Sequence, residues 1–96
     1  EQEEFNYIPY AYDLKPAYPN PFNPVTSIQF NIPFESDIDL MVYDMQGRMI
    51  SKLVSGIYQP GEYEVEWDAE GYSSGVYLVK MSASGFNKTM KVVLLK

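Results

Sequence analysis

The sequence contains no cysteine and no histidine. A disulfide framework is therefore excluded, and the thiolate and imidazole groups that hold most zinc, copper and haem sites are missing. Histidine is also the side chain that most readily transfers protons near neutral pH, so most enzyme classes lose their usual acid or base. We therefore expect a protein that is not an enzyme and that binds no metal and no cofactor.

Basic residues are scarce, because seven Lys and Arg stand against 13 Asp and Glu and give a net charge of −6. An acidic chain lacks the basic surface that releases counterions from phosphates, so nucleic acid is not an expected partner. No apolar run approaches the roughly 20 residues of a membrane span, and residues 1–13 do not resemble a signal peptide. The few bases are unevenly placed, since residues 71–96 hold four Lys and no acid.

Apolar residues make up 46% of the chain and aromatic residues 16%, and many of them alternate with polar residues. This period of two is typical of half-buried β-strands. With turn residues between the runs, it predicts about seven short strands in an antiparallel β-sandwich. The inward positions that the alternation defines are Ile28, Phe30, Ile32, Ile38, Leu40, Val42, Tyr63, Val65 and Trp67.

Turn signals divide these strands. Asp44-Met45-Gln46-Gly47 is a predicted hairpin turn with Gly47 in the left-handed region, and Ser84-Gly85 is a second reversal. The strand that begins at Met49 is expected to end at Ser55-Gly56. Trp67 is expected to be a core residue that packs on Tyr77.

Four prolines, at positions 16, 19, 21 and 24, fall within one short segment. They remove four backbone donors and force extended geometry, so this segment should lie along an edge of the sandwich. Phe22 is expected to insert into the core, and Asn20 and Asn23 to bond their own backbone in turns. A recognition motif for an aromatic groove is the alternative.

Residues 1–13 are predicted to be a linker from an upstream domain, because they combine four acids with Pro9. The folded domain is then expected to span residues 14–96. A short strand whose aromatic residues cap the sandwich is an alternative, and stacking of these rings on a sugar is another.

Carboxylates are the remaining candidates for chemistry. Glu62, Glu64 and Glu66 form a row along one strand face and do not converge on a point, so a solvated face is the expectation. Asp37, Asp39 and Asp44 are a weaker candidate for calcium, without the usual loop motif.

Several short motifs follow one another in a fixed order. They are Tyr18-Pro19-Asn20-Pro21-Phe22-Asn23-Pro24, Val42-Tyr43-Asp44 with Gly47-Arg48, Gly61, Trp67-Asp68, Ser74-Gly75-Val76-Tyr77 and Lys91-Val92-Val93-Leu94-Leu95-Lys96. The series resembles the type A C-terminal sorting domain of the type IX (Por) secretion system over residues 14–96. The related Ig-like domain of the flagellar hook-cap scaffold shares several motifs, but it usually has a longer connection than residues 68–74.

The resemblance implies a seven-stranded, antiparallel Ig-like β-sandwich that serves as a removable secretion signal for an upstream cargo protein. Such cargo crosses the periplasm, meets the outer-membrane translocon and shuttle proteins, and ends at the cell surface or secreted. A sortase-like peptidase often removes the domain. By position, the sorting-recognition residues would be Gly75, Tyr77, Lys91, Val92, Val93, Leu94, Leu95 and Lys96.

Two other functions stay open from the sequence, a carbohydrate-binding module and a structural Ig-like module of an extracellular protein. The first would be supported by an exposed row among Tyr7, Tyr10, Tyr12, Tyr18, Tyr58 and Tyr72. A strand-swapped homodimer at high concentration is a further expectation, because residues 92–95 read as an apolar edge strand.

Overall fold

Residues 8–96 are described by a computed structural model, and within them seven β-strands and no helix are formed. The strands are β1 Asp13–Leu14, β2 Val25–Ile32, β3 Ser36–Tyr43, β4 Met49–Tyr58, β5 Gly61–Asp68, β6 Gly75–Ala83 and β7 Phe86–Leu94. All neighbouring strands pair antiparallel. The predicted all-β, antiparallel sandwich of seven strands is confirmed.

The strands divide into two sheets. One has three strands in the order β1-β2-β5, and the other has four in the order β4-β3-β6-β7. In the first sheet, Thr26 lies opposite Trp67. In the second, Tyr77 lies opposite Val92. These registers set which side chains from distant parts of the chain meet in the core.

The core lies between the inward faces of the two sheets. Ile28, Phe30 and Ile32 of β2 have no exposed surface, and the alternate residues of β3, Ile38, Leu40 and Val42, are also fully buried. Because successive side chains of a strand point to opposite faces, a period of two places one set in the core. The predicted inward face is confirmed for these strands.

One predicted strand end is wrong. β4 does not stop at Ser55-Gly56 but continues to Tyr58, with Ser55 paired to Asp39 and Gly56 to Ile38. The Ser55 hydroxyl also donates a hydrogen bond to Asp39 Oδ1 at 3.0 Å. Pairing with the full length of β3 therefore outweighs the local turn preference of Ser-Gly.

The predicted turn between β3 and β4 is confirmed, with Gly47 at a φ of +86°. Asp44 Oδ1 accepts hydrogen bonds from the amides of Gln46 and Arg48, and Asp44 Oδ2 accepts one from Arg48 Nε at 2.8 Å. The backbone N–H of Arg48, with smaller contributions from its side chain and from the Gln46 amide, lowers the pKa of Asp44. The turn thus favours the ionised carboxylate.

Tyr12 and Asp13, at the end of the predicted linker, contact the sandwich. The Tyr12 ring stacks on Phe86, and Asp13 pairs with Asn31 and accepts a hydrogen bond from Lys88 at 3.2 Å. Residues 1–7, which include Tyr7, lie outside the described residues. The linker role stays a prediction.

We predict that Trp67→Ala lowers the free energy of unfolding by about 3–5 kcal/mol, the usual cost of truncating a large buried aromatic side chain. Trp67 is 2% exposed. Tyr10→Ala is the matched control, because Tyr10 is fully exposed and its loss should change stability by less than about 0.5 kcal/mol. Urea unfolding measures both. Equal stability of the two variants would contradict the placement of Trp67 in the core.

Candidate recognition site

The proline-rich segment lies against the outer edge of β7. The Phe22 amide donates to the Val93 carbonyl, and the Leu95 amide donates to the Phe22 carbonyl, both at 2.9 Å. These two bonds form a parallel bridge between Phe22 and Leu94. The next residue whose N–H would face β7 is Pro24, which has no N–H, so the ladder does not continue beyond Phe22 in that direction. The segment therefore covers the edge of β7 at one place.

Asn20 extends this contact through its side chain. Its Oδ1 accepts a hydrogen bond from the Val93 amide at 2.9 Å, and its Nδ2 donates to the Lys91 carbonyl at 3.2 Å. The expectation that Asn20 bonds its own backbone is wrong. A carboxamide carries a donor and an acceptor as a peptide group does, so Asn20 pairs with both an amide and a carbonyl of β7, whereas a proline could offer only an acceptor.

Phe22 begins an aromatic cluster in the core, together with Trp67, Tyr72 and Tyr77. The Phe22 and Trp67 ring centroids are 5.5 Å apart, and those of Trp67 and Tyr77 are 5.4 Å apart in a T-shaped arrangement. Phe22 is 3% exposed. Both predictions, Phe22 as an insertion into the core and Trp67 packed on Tyr77, are confirmed.

The two parts of the predicted recognition set are neighbours in space. Gly75 pairs with Leu94 and Tyr77 pairs with Val92 across the β6–β7 ladder. The Lys96 amide donates to Ser74 Oγ at 2.9 Å, which holds the chain beyond β7 beside the start of β6. Gly75 has a φ of +155°, where other residues are strained. The backbone conformation therefore explains a glycine at this position, independently of its predicted role in recognition.

Burial divides the predicted recognition residues into two groups. Tyr77, Val92 and Leu94 are buried, and the Tyr77 hydroxyl donates to the Ser73 carbonyl at 2.6 Å. The half-buried or exposed members are Gly75, Val93, Lys91, Leu95 and Lys96. A partner of the folded domain can touch only the second group. The recognition role of every member stays a prediction.

A concave surface of about 550 Å³ lies beside the aromatic cluster. Asp44 and Arg48 of the β3–β4 turn line it together with Tyr72 and Tyr77. The Tyr72 hydroxyl donates to the Ile50 carbonyl at 2.9 Å and so joins the loop before β6 to β4. Motifs that are far apart in sequence therefore meet at one end of the sandwich.

The other candidates do not converge. Glu62, Glu64 and Glu66 are exposed along β5, and residues 8–96 contain no group of three or more acidic side chains arranged to hold a metal ion. Among the tyrosines in this part of the chain, Tyr10 and Tyr18 are exposed, whereas Tyr12, Tyr58 and Tyr72 are half-buried against other aromatic rings. These three do not present open faces for stacking on sugar rings.

A family model described as "Secretion system C-terminal sorting domain" matches residues 16–95, which contain the proline-rich segment, the aromatic cluster and β7. The chain belongs to this family. It is a sorting domain of type IX secretion. No curated protein and no solved structure matches the chain. The sorting domain has no helix, within its described residues, that is long and apolar enough to cross a membrane.

Sequence reasoning missed two contributors to this site, Asn20 and Ser74. Both act through hydrogen bonds to residues more than 20 positions away. The position of Asn20 between two prolines could have indicated this role. A segment with few backbone N–H groups must use side chains to pair with the backbone groups of a neighbouring strand. Nothing in the local sequence indicated that this edge was β7.

We predict that Asn20→Ala lowers the free energy of unfolding by about 1–2 kcal/mol, because it removes two hydrogen bonds and leaves the Val93 amide and the Lys91 carbonyl unpaired by this side chain. Asn23→Ala, a matched change in the same segment at an exposed residue, should cost less than about 0.5 kcal/mol. Thermal and urea unfolding give both values. If Asn20→Ala is no more costly than the control, the contact of Asn20 with β7 contributes nothing to stability.

Proposed function

We propose that this sorting domain directs an upstream cargo protein across the outer membrane and is read through the exposed end of the β6–β7 ladder. The observation that carries the proposal is the meeting of Gly75-Val76-Tyr77 with residues 91–96, two motifs that are separate in sequence and adjacent in space. Membership of the sorting family supports the general role. The exposed Lys91, Leu95 and Lys96 are the side chains that a partner reaches first.

The partners in this proposal are the outer-membrane translocon and its shuttle proteins, reached from the periplasm. A sortase-like peptidase removes the domain by cutting before the sandwich, within residues that precede Tyr12. Support for the order of these segments comes from Tyr12 and Asp13, which contact both sheets through side chains and backbone. The domain itself is proposed to perform no catalysis and to need no cofactor.

Charge gives the partner a chemical character. Residues 71–96 carry four Lys and no acid, and Lys91 and Lys96 are both exposed beside β7. A groove with carboxylates would attract this end and set its orientation, whereas the acidic remainder of the domain would be repelled. This complementarity would direct the β6–β7 end of the domain into the groove.

The proposal is tested by fusing residues 1–96 to a periplasmic reporter in a bacterium with a type IX system. The test variant combines Lys91→Gln, Leu95→Ser and Lys96→Gln, which changes exposed side chains and leaves the buried Val92 and Leu94 in place. We predict that export falls by about tenfold or more, the effect of losing roughly 1.4 kcal/mol of binding free energy. The measurement is the fraction of reporter at the surface and in the medium.

Glu64→Gln with Glu66→Gln is the control, because both residues are exposed on the opposite sheet. It should export as the parent does. Circular dichroism and melting must show that both variants fold. A folded test variant that exports at the parental level would refute the recognition role of these residues, and a parental fusion that stays in the periplasm would refute the sorting role.

A further inference from the structure

The outward face of the four-stranded sheet is unusual in its composition. Leu40 and Val42 of β3 and Val79 and Met81 of β6 point into the core, so the residues between them point to the opposite face. On three adjacent strands, the outward residues nearest the β3–β4 turn are Met41 and Tyr43 of β3, Val76, Leu78 and Lys80 of β6, and Lys91 and Val93 of β7. Apolar side chains predominate at this end of the face, whereas the outward residues farther along the strands are polar, namely Asp37, Asp39, Ser82, Asn87 and Thr89.

The strand registers gather these apolar side chains into one patch. Tyr43 lies opposite Leu78 on one side and opposite Met49 on the other, and Val76 lies opposite Val93. Met49 is 51% exposed. Side chains directly opposite on neighbouring strands touch, so this cluster is continuous across the sheet near the β3–β4 turn. We call Met41, Tyr43, Met49, Val76, Leu78 and Val93 the outer apolar patch.

Three lysines border the outer apolar patch. Lys52 and Lys80 flank Met41 on its two sides, and Lys91 lies opposite Leu78. The ion pairs formed within residues 8–96 use Lys15, Arg48 and Lys88, so none of the three bordering lysines is neutralised by a carboxylate there. The acids on this face are Asp37 and Asp39. Asp39 is the next outward residue to Met41 on β3, but it forms no ion pair with Lys52 or Lys80, and its carboxylate accepts a hydrogen bond from Ser55.

The outward face of the three-stranded sheet has the opposite character. Glu62, Glu64 and Glu66 are exposed on β5, and their partners on β2 are Asn31, Gln29 and Ser27. The outward residues of β2 and β5 at these positions are therefore all polar or acidic, as expected for a solvated sheet face. The sandwich presents one largely acidic face and one face that carries an apolar patch with a basic border.

We propose that the outer apolar patch is a docking surface for a protein whose own surface has an apolar centre and carboxylates at its rim. An apolar patch bordered by charge is the usual composition of a protein interface. Within residues 8–96 the three lysines form no ion pair with a carboxylate, so acids on the partner would supply the opposite charge. A membrane with anionic lipids is disfavoured, because the whole chain carries a charge of −6.

The patch is continuous with the proposed recognition strand, because Val93 belongs to both and Lys91 of that strand borders the patch. The inference rests on the proposed function and adds a second contact, made by β3, β4 and β6, to the same machinery. It predicts that export depends on residues outside β7, such as Lys52 of β4 and Lys80 of β6, which the sequence of the last strand alone would not implicate.

The test uses the same reporter fusion with Lys52→Glu and Lys80→Glu, and separately with Leu78→Thr. The matched control is Lys15→Glu with Lys88→Glu, which changes net charge equally but away from the patch, where both lysines make exposed ion pairs of little energy. Export should fall by about tenfold or more in both patch variants. Lys52→Glu with Lys80→Glu places negative charge against the partner's acids, and Leu78→Thr removes apolar surface from the centre of the patch. The control should retain parental export, and circular dichroism should show that all variants fold.

The outcomes separate the two proposals. If both folded patch variants are exported at the parental level while the variant altered at 91, 95 and 96 is not, the docking surface is overturned and the proposed function stands. Parental export of all three folded variants would overturn the docking surface and the recognition role of residues 91, 95 and 96. Sedimentation of the 1–96 chain and flotation with vesicles of one-third phosphatidylglycerol test the other occupants. A dimer or a vesicle complex that Lys52→Glu with Lys80→Glu abolishes would overturn the proposal of an acidic protein partner.

Discussion

The contact between the proline-rich segment and β7 is the interaction on which the rest of this structure depends. β7 is the outermost strand of its sheet, and an open edge of this kind can pair with another chain. Asn20 and Phe22 satisfy its Val93 amide and carbonyl, and Phe22 enters the core against Trp67. One short extended segment therefore covers part of the β7 edge and joins the two sheets. The rest of the edge is not covered by this segment, and a strand-swapped homodimer formed there stays a prediction.

The sequence predicts the features that local chemistry decides. Alternation identifies the inward residues of β2 and β3, and Asp44 with Gly47 identifies a turn, because each depends on a few neighbouring residues. The course of β4 past Gly56 and the partners of Asn20 were not predictable in this way. Both depend on pairing with strands elsewhere in the chain, and a single sequence carries no record of such pairing.

Folding and sorting draw on the same short motifs but on different atoms. Tyr77, Val92 and Leu94 are buried and hold the sandwich together, whereas Lys91, Leu95 and Lys96 are exposed at the same place. Within one short motif, therefore, one residue can be needed for folding while its neighbour is free to contact a partner. Deleting the whole of residues 91–96 would remove core side chains as well as exposed ones, so only substitutions of exposed residues separate the two roles.

Amide hydrogen exchange of the 1–96 chain shows whether the proline-rich segment holds β7 in place. Val93 and Thr89 lie on the same strand, and their amides face the same outer edge, because alternate residues of a strand point their N–H groups to the same side. Only the Val93 amide is reached by Asn20. If Asn20 holds the edge, the Val93 amide exchanges orders of magnitude more slowly than the Thr89 amide. Equal exchange rates at the two positions would show that the segment does not hold β7.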